Sequence, residues 1–492
     1  MKEKLNNFFE IKNRHSSIKT EIFAGTTTFL AMAYILVVNP NNILWGGTLD
    51  PRFGSVFIAT AIGAFIGTLL MAVLAKMPLA QAPGMGLNAL VGGIIGGALG
   101  FSFSYGNSMA LVFLSGIIFL ILSFVKVGKK HKVSLREKIF DGVPKPIRLS
   151  ISVGVGLFIA FIGLQNAHII VHNDFTLLQL IDFNNPEMWV SGGDACKALV
   201  ALFGLLVITI LSHYKVKGAV IIGIISSTIL SIPLGVANLD ILFGNVSGIS
   251  WKFWENIGNF FGNNEVFLSL FKGGFIFPDG SLMTVIMLII SFSMIDMFDT
   301  MGTVIGCTKN AGLIDKDEKP INYGKIMYAD SIATILGSGL GTSTVTTFVE
   351  SGTGVSQGGR TGLTALTTAV LFLLSIFLLP LFAFIPSPSA ASALIYVGVL
   401  MISNVKEVDF TNIKNAVPAF MTIIIMLLGY SITDGIGMGI ISFAIIDLII
   451  YLIDMIRYTN GYIKNKPKPE TTLITFIIVI LFLVYFLVPT VL

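Results

Sequence analysis

The chain is expected to be an all-α polytopic membrane protein of fourteen spans, set out as two inverted groups of seven. Three observations predict this. Its 492 residues are 54% hydrophobic and only 12% charged, against about 25% charged in an ordinary soluble domain. Apolar windows of roughly 17–25 residues recur, each long enough to cross about 30 Å of hydrocarbon as a helix; the weak alternating pattern of a membrane β-barrel is absent. Two windows, at corresponding places in the two halves, are interrupted by Gly, Pro or Thr, which points to paired broken spans. The net charge of +4 is small and falls in loops, so it reports topology rather than a nucleic-acid footprint.

The elements follow in order. The first apolar run begins near Ile22, after a polar and basic start, and continues through AMAYILVVNP without a small-residue cleavage site. It reads as a retained span, not a signal peptide. Spans are expected near 22–38, 53–75, 84–100, 107–125, 149–165, 195–213 and 217–237, then near 281–305, 325–340, 348–358, 361–385, 389–403, 414–430 and 434–453. A further apolar run at 471–491 either crosses the membrane or lies along its surface. The basic stretches MKEKLNNFFEIKNRHSSIK, KVGKKHKVSLREKIF, HYKVKG and RYTNGYIKNKPKPE all fall on one side in this count. The positive-inside rule makes that side, and the N-terminus, cytoplasmic. The acidic segment Asp174 to Asp194 and the Trp-bearing segment around Trp251 to Trp254 then lie outside. Because seven is odd, the second set enters with opposite orientation, the geometry of an inverted-repeat transporter.

The interruptions are PLAQAPGMGLNA, around 78–88, and GTSTVTTFVESG, around 341–352. Irregular backbone at membrane depth is tolerated where it lines a cavity. TSTVTTF alternates with β-branched residues and reads as a short extended piece before a half-helix; PLAQAP is a weaker case. Gly84, Gly86 and Thr347 mark this broken-span backbone, and the half-helix starts near Gly84 and Val349 would aim amide N–H groups at a ligand.

SFSMIDMFDTMG, residues 291–302, carries Asp296 and Asp299 three positions apart, on nearly one helix face. An ionisable group at mid-bilayer depth costs about 2.5–3.5 kcal/mol on insertion scales, so two in one span need partners or water. The competing readings are a solvated substrate and proton site, or a structural polar cluster tying helices together. The first is favoured because the pair does not stand alone. Glu350 and Ser351 follow the second interruption, Asp330 opens the ninth span in YADSIATILG, and Asn88 follows the first interruption. Carboxylates and an amide suit a flat, neutral, hydrogen-bonding heterocycle better than an anion, which acids repel. Phe348 either covers one face of such a ring or is packing. Only the acids can carry a proton, and interacting acids titrate as a group.

EIFAGTTTFLAMAYILVVNP, QAPGMGLNA, MIDMFDTMGTVIG, ADSIATILGSGLGTSTVTTFVESGTGV and GGRTGLTALTTAVLF together resemble the nucleobase:cation symporter 2 (xanthine/uracil permease) family. They are most similar to its guanine, hypoxanthine and adenine permease branch, the azaguanine-resistance type. The likeness runs from about residue 12 to 455. It implies a core domain of spans one to four and eight to eleven, a gate domain of spans five to seven and twelve to fourteen, and short crossed strands in spans three and ten. On this chain that gives 1–148 for the N-terminal segment and first core spans, 149–240 for gate spans, 281–385 for core spans, 386–455 for gate spans and 456–492 for the tail and extra helix. The resemblance further implies that Glu350 and the Asp296/Asp299 pair bind the base, that Asn88 belongs to the site and that Asp330 is a structural or coupling acid. Which of Asp296 and Asp299 faces the base stays open. MIDMFDT lacks the Glu that the uracil and xanthine branches put first in the eighth span, which makes those substrates less expected.

The remaining chemistry is sparse. His168 and His172, four apart at a span end, lack a third metal ligand and read as loop or interface histidines. Cys307 reads as a packing residue and the two cysteines, Cys196 and Cys307, form no framework. GYSITDGIGMGIISF signals close helix packing, not nucleotide binding. Arg360 marks the cytoplasmic end of span ten, an anionic-lipid contact being the minor option. The expectation is therefore a proton-coupled purine importer of the cytoplasmic membrane, not an enzyme, with a purine base, a proton and the bilayer as partners, no nucleic acid, no cofactor and no metal. Related folds pair through their gate domains, leaving a homodimer open. The rival readings are a channel, which needs a continuous polar pore, a membrane enzyme, which needs a nucleophile set, a uracil/xanthine permease, and an anion exchanger of the same fold.

Overall fold

The computed structural model describes residues 2–44, 47–97, 102–127, 133–173, 175–216, 218–243, 248–262, 265–315, 319–460, 462 and 465–487. Residues 128–132 of the second basic stretch, Asp174, Lys217, parts of the late basic tail and the ends of the runs expected at 84–100 and 471–491 lie outside the described residues.

Every expected apolar run contains helix. Among the described residues nine helices are long and apolar enough to cross a membrane, from Ile18–Ile43 to Ile432–Thr459, and Met85–Ile95, Ala219–Ser231, Ile413–Leu428 and Leu473–Leu487 are shorter apolar helices. The eighth-span helix, Leu282–Ala311, has 30 residues and continues past the expected end at 305. It stops where Gly312 takes φ +66° and the Leu313 N–H reaches back to the Thr308 carbonyl at 2.9 Å, a glycine-closed C-terminus.

The first span is not one helix. Ile18–Met32 and Ile35–Ile43 meet at Ala33 and Tyr34. Pro40 lies inside the second piece; it has no N–H for the Leu36 carbonyl, and the chain tightens just upstream. There the Leu36 and Val37 N–H groups bond three residues back, to Ala33 and Tyr34, at 3.2 and 3.1 Å.

The described chain divides into two compact units. The first comprises Met1–Leu120, Ile159–Ile276 and Asp299–Val397; the second comprises Ile121–Phe158, Phe277–Phe298 and Gly398–Leu492. The first unit contains both interruptions. They pair as a two-stranded antiparallel sheet, Gln81–Pro83 with Val345–Thr347, in the register Gln81 to Thr347, Ala82 to Thr346 and Pro83 to Val345. His168 also lies in this unit, with Nδ1 3.1 Å from Asp194, and His172 is exposed on a hairpin.

In the second unit the glycines of GYSITDGIGMGIISF let helices close up. A Cβ on Gly439 would meet Thr422 Oγ1 and one on Gly435 would meet Met426 Cγ at 2.2 Å, while Gly437 faces Phe482 of the C-terminal helix. That helix is also held by polar contacts: Asp447 accepts from the Thr471 N–H at 2.7 Å and hydroxyl at 2.6 Å and pairs with Lys414 at 2.7 Å. Thr475 donates to the Gly142 carbonyl at 2.7 Å.

Candidate functional site

The site is built on the crossed strands. Thr344, Val345, Thr346 and Thr347 are β-branched and buried, and suit an extended segment packed on both faces. Room for the crossing comes from glycine. A Cβ on Gly67 of the second span would lie 2.7 Å from Val345 Cγ1, and one on Gly84 would lie 2.7 Å from Thr346 Cγ2. The Gly84 N–H donates to the Thr344 carbonyl at 2.9 Å, extending the ladder. At the other end, Ala80 uses both polar groups: its carbonyl accepts from the Phe348 N–H at 3.0 Å and its N–H donates to Ser351 Oγ at 3.0 Å. Each strand then feeds a half-helix, Met85–Ile95 or the six-residue Ser351–Ser356. The N–H groups of Ser351, Gly352 and Thr353 are engaged by the carbonyls of Phe348, Val349 and Glu350 at 3.1, 2.9 and 2.9 Å.

Three acids gather here in the first unit. Glu350, the residue before the short half-helix, keeps partial exposure, as does Asp299. Glu350 Oε1 accepts from the Tyr34 hydroxyl at 2.6 Å. Asp299 directly precedes Thr300, whose hydroxyl lies 2.9 Å from Asp330 and 2.5 Å from Thr346. Asp330 is wholly buried. Its Oδ1 accepts from Gln81 Nε2 at 3.1 Å and from the Thr300 hydroxyl at 2.9 Å. Having spent its proton on Asp330, Thr300 accepts from the Thr346 hydroxyl at 2.5 Å. Asp330 thus ties the eighth and ninth spans to both strands.

The other expected residues are placed as follows. Asn88 is wholly buried; its oxygen takes the Ser343 hydroxyl and its amide N–H points to the Pro83 carbonyl at 3.5 Å. Asp296 is wholly buried and falls in the second unit, on the same helix as Asp299. Phe348 is 5% exposed and Ser351 is buried; Gly86 lies buried in the first turn of Met85–Ile95. Two open clefts lie elsewhere, one of about 320 Å³ beside His168 and Lys197 and one of about 330 Å³ beside Lys145 and Asp409.

A family model described as "Permease family" matches residues 19–438. The chain belongs to this family, the nucleobase:cation symporters of type 2 that its motifs resemble. The permease is similar to a putative permease of Methanocaldococcus jannaschii, 37% identical over 439 residues (89% of this chain, 91% of that one). It is also similar to the adenine permease AdeQ of Escherichia coli K12, 36% identical over 90% of each chain, and to the guanine/hypoxanthine permease PbuO of Bacillus subtilis 168, 36% identical over 89% of this chain and 93% of that one. Among solved structures it is similar to the transmembrane domain of a cyanobacterium bicarbonate transporter, BicA. The TM-score there is 0.57, with 15% identity, 86% of this chain and 97% of that chain covered. That likeness shows the fold alone, an inverted-repeat transporter fold.

Three further residues bond to these acids. Tyr34 lies in a mostly apolar run, where a buried phenol usually finds a hydrogen-bond partner. Gln81 and Thr300 lie within the quoted motifs, but what joins them to Asp330 is spatial: the partners are 249 and 30 residues apart.

Proposed function

We propose that this permease imports purine nucleobases, guanine, hypoxanthine or adenine, by proton symport with alternating access. The gathering of Glu350 and Asp299, the two partly exposed acids of the set, beside crossed strands supports the reading most directly. Both side chains accept hydrogen bonds and neither repels a neutral ring. A purine presents in-plane N–H groups along one edge, and two carboxylates facing that edge bind it without needing a cation. The adenine and guanine/hypoxanthine permeases among the relatives fit the same substrate class.

Coupling follows from the cost of charge in an apolar setting. A proton on a site carboxyl removes a charge whose transfer past the hydrocarbon costs about 2.5–3.5 kcal/mol. The loaded, neutralised site then moves more readily against the gate spans than the charged, empty one. Asp330, held by Gln81 and Thr300, keeps the strands in register while this happens. In this reading the N-terminus is cytoplasmic, spans one to four and eight to eleven form the moving core, and the protein resides in the cytoplasmic membrane. The test is a competition panel in vesicles, with unlabelled bases against labelled hypoxanthine. Guanine, hypoxanthine or adenine should compete and uracil, xanthine and bicarbonate should not; competition by uracil alone would overturn the purine assignment.

A further inference from the structure

We infer that Tyr34 is a positioning residue for substrate recognition: its hydroxyl holds one oxygen of Glu350 so that the other is presented, fixed in direction, to a ring N–H of the base. The inference rests on the purine reading above and adds to it a residue from the first span.

The geometry is specific. A phenol has one proton to donate, and that of Tyr34 goes to Glu350 Oε1 at 2.6 Å. The Tyr34 ring is 1% exposed, so its hydroxyl approaches from within the protein, while Glu350 keeps an exposed part. A carboxylate held on one oxygen by a packed phenol loses most of its rotational freedom, and recognition of a planar N–H gains from that fixed direction.

Backbone and packing place the pair. Gly354 of the short half-helix lies against the first half of span one, where an added Cβ would meet Thr28 Oγ1 and come within 2.7 Å of the Ala24 carbonyl. Tyr34 stands where that span pinches: Ala33 and Tyr34 have ψ of −24° and −25°, values of a 3₁₀ turn, and such turns inside helices often mark functional hinges. A buried tyrosine that merely needs a partner can use a backbone carbonyl, as Tyr105 does with Gly341 at 2.5 Å. Tyr34 instead engages the acid that the substrate is to use.

The test is equilibrium binding to the purified full-length protein in nanodiscs, comparing wild type with Tyr34→Phe. The ligands are hypoxanthine and hypoxanthine methylated at N1, N7 or N9. Wild type should bind hypoxanthine and reject at least one methylated base, the one that blocks the N–H facing Glu350. Tyr34→Phe should melt within a few degrees of wild type, bind hypoxanthine about tenfold more weakly, as for one lost hydrogen bond to a charged group, and lose most of its discrimination against that methylated base. Unchanged hypoxanthine affinity, or equal loss for hypoxanthine and the methylated bases, would overturn the positioning role while leaving the purine reading intact. A wild type that binds hypoxanthine but tells none of the methylated bases apart overturns it as well. A wild type that binds no purine at all overturns the reading beneath it.

Discussion

Glu350, Asp299 and Asp330 are three acids in one compact unit, yet they are not equivalent. Asp330 is buried and accepts two hydrogen bonds on Oδ1, whereas Glu350 and Asp299 keep exposure. Substitutions should separate the roles. Glu350→Gln keeps size and the Tyr34 contact but removes the charge; uptake of labelled hypoxanthine should fall below about 1% of wild type with membrane abundance nearly unchanged, measured by immunoblot beside transport. Asp330→Ala should instead damage the fold, leaving Gln81 and Thr300 without their acceptor at a cost of about 2–4 kcal/mol, read as a lowered melting temperature. Asn88→Ala removes the acceptor of the Ser343 hydroxyl. It should weaken base binding about tenfold while costing about 1 kcal/mol in stability, and a stability loss with unchanged affinity would assign Asn88 to structure alone. At this scale Asp296 and Asp299 could not be told apart from spacing. Burial distinguishes them, because a turn of 300° over three residues leaves about 60° between neighbours on a helix, enough to bury one and leave the other partly open.

At the level of elements, the interruptions were legible and their consequences only partly so. TSTVTTF and QAPGMG announce broken backbone through β-branched residues, Pro and Gly, and they form the strand pair that the resemblance implied. The break in the first span left little trace: AMAYILVVNP is mostly apolar, and Pro40 alone hints at the pinch six residues earlier. Helix ends were displaced where the helix runs on beyond the apolar window, as in the stretch to Ala311, which carries Gly306, Thr308 and Asn310 and closes only at Gly312. Crossings depend on missing side chains. Gly67→Leu should drive a branched side chain into Val345, where a Cβ alone would come within 2.7 Å. Overpacking of this kind costs about 1–3 kcal/mol or more, and the variant should both melt earlier and transport poorly. Gly439→Leu, in the second unit, should melt earlier too, since its Cβ collides with Thr422; a wild-type melting curve would show that these helices have room to separate.

For the whole molecule, composition alone established a membrane protein, and the family is established by the match over residues 19–438. Transport direction, coupling and the core and gate movement belong to states that one arrangement of the chain does not contain, and neither periodicity nor motif spacing encodes them. Contacts such as Tyr34 with Glu350, 316 residues apart, were equally out of reach, because a local pattern says nothing about which distant polar group meets it. Proton symport is the global claim, and it rests on site carboxyls that must lose their charge before the core moves. The most direct measurement is accumulation of labelled hypoxanthine in proteoliposomes carrying the purified protein, with an imposed inward proton gradient. Wild type should concentrate the base and lose that ability when a protonophore is added, while Glu350→Gln should not concentrate it. Accumulation that survives the protonophore, or that requires sodium instead, would contradict proton coupling through these acids.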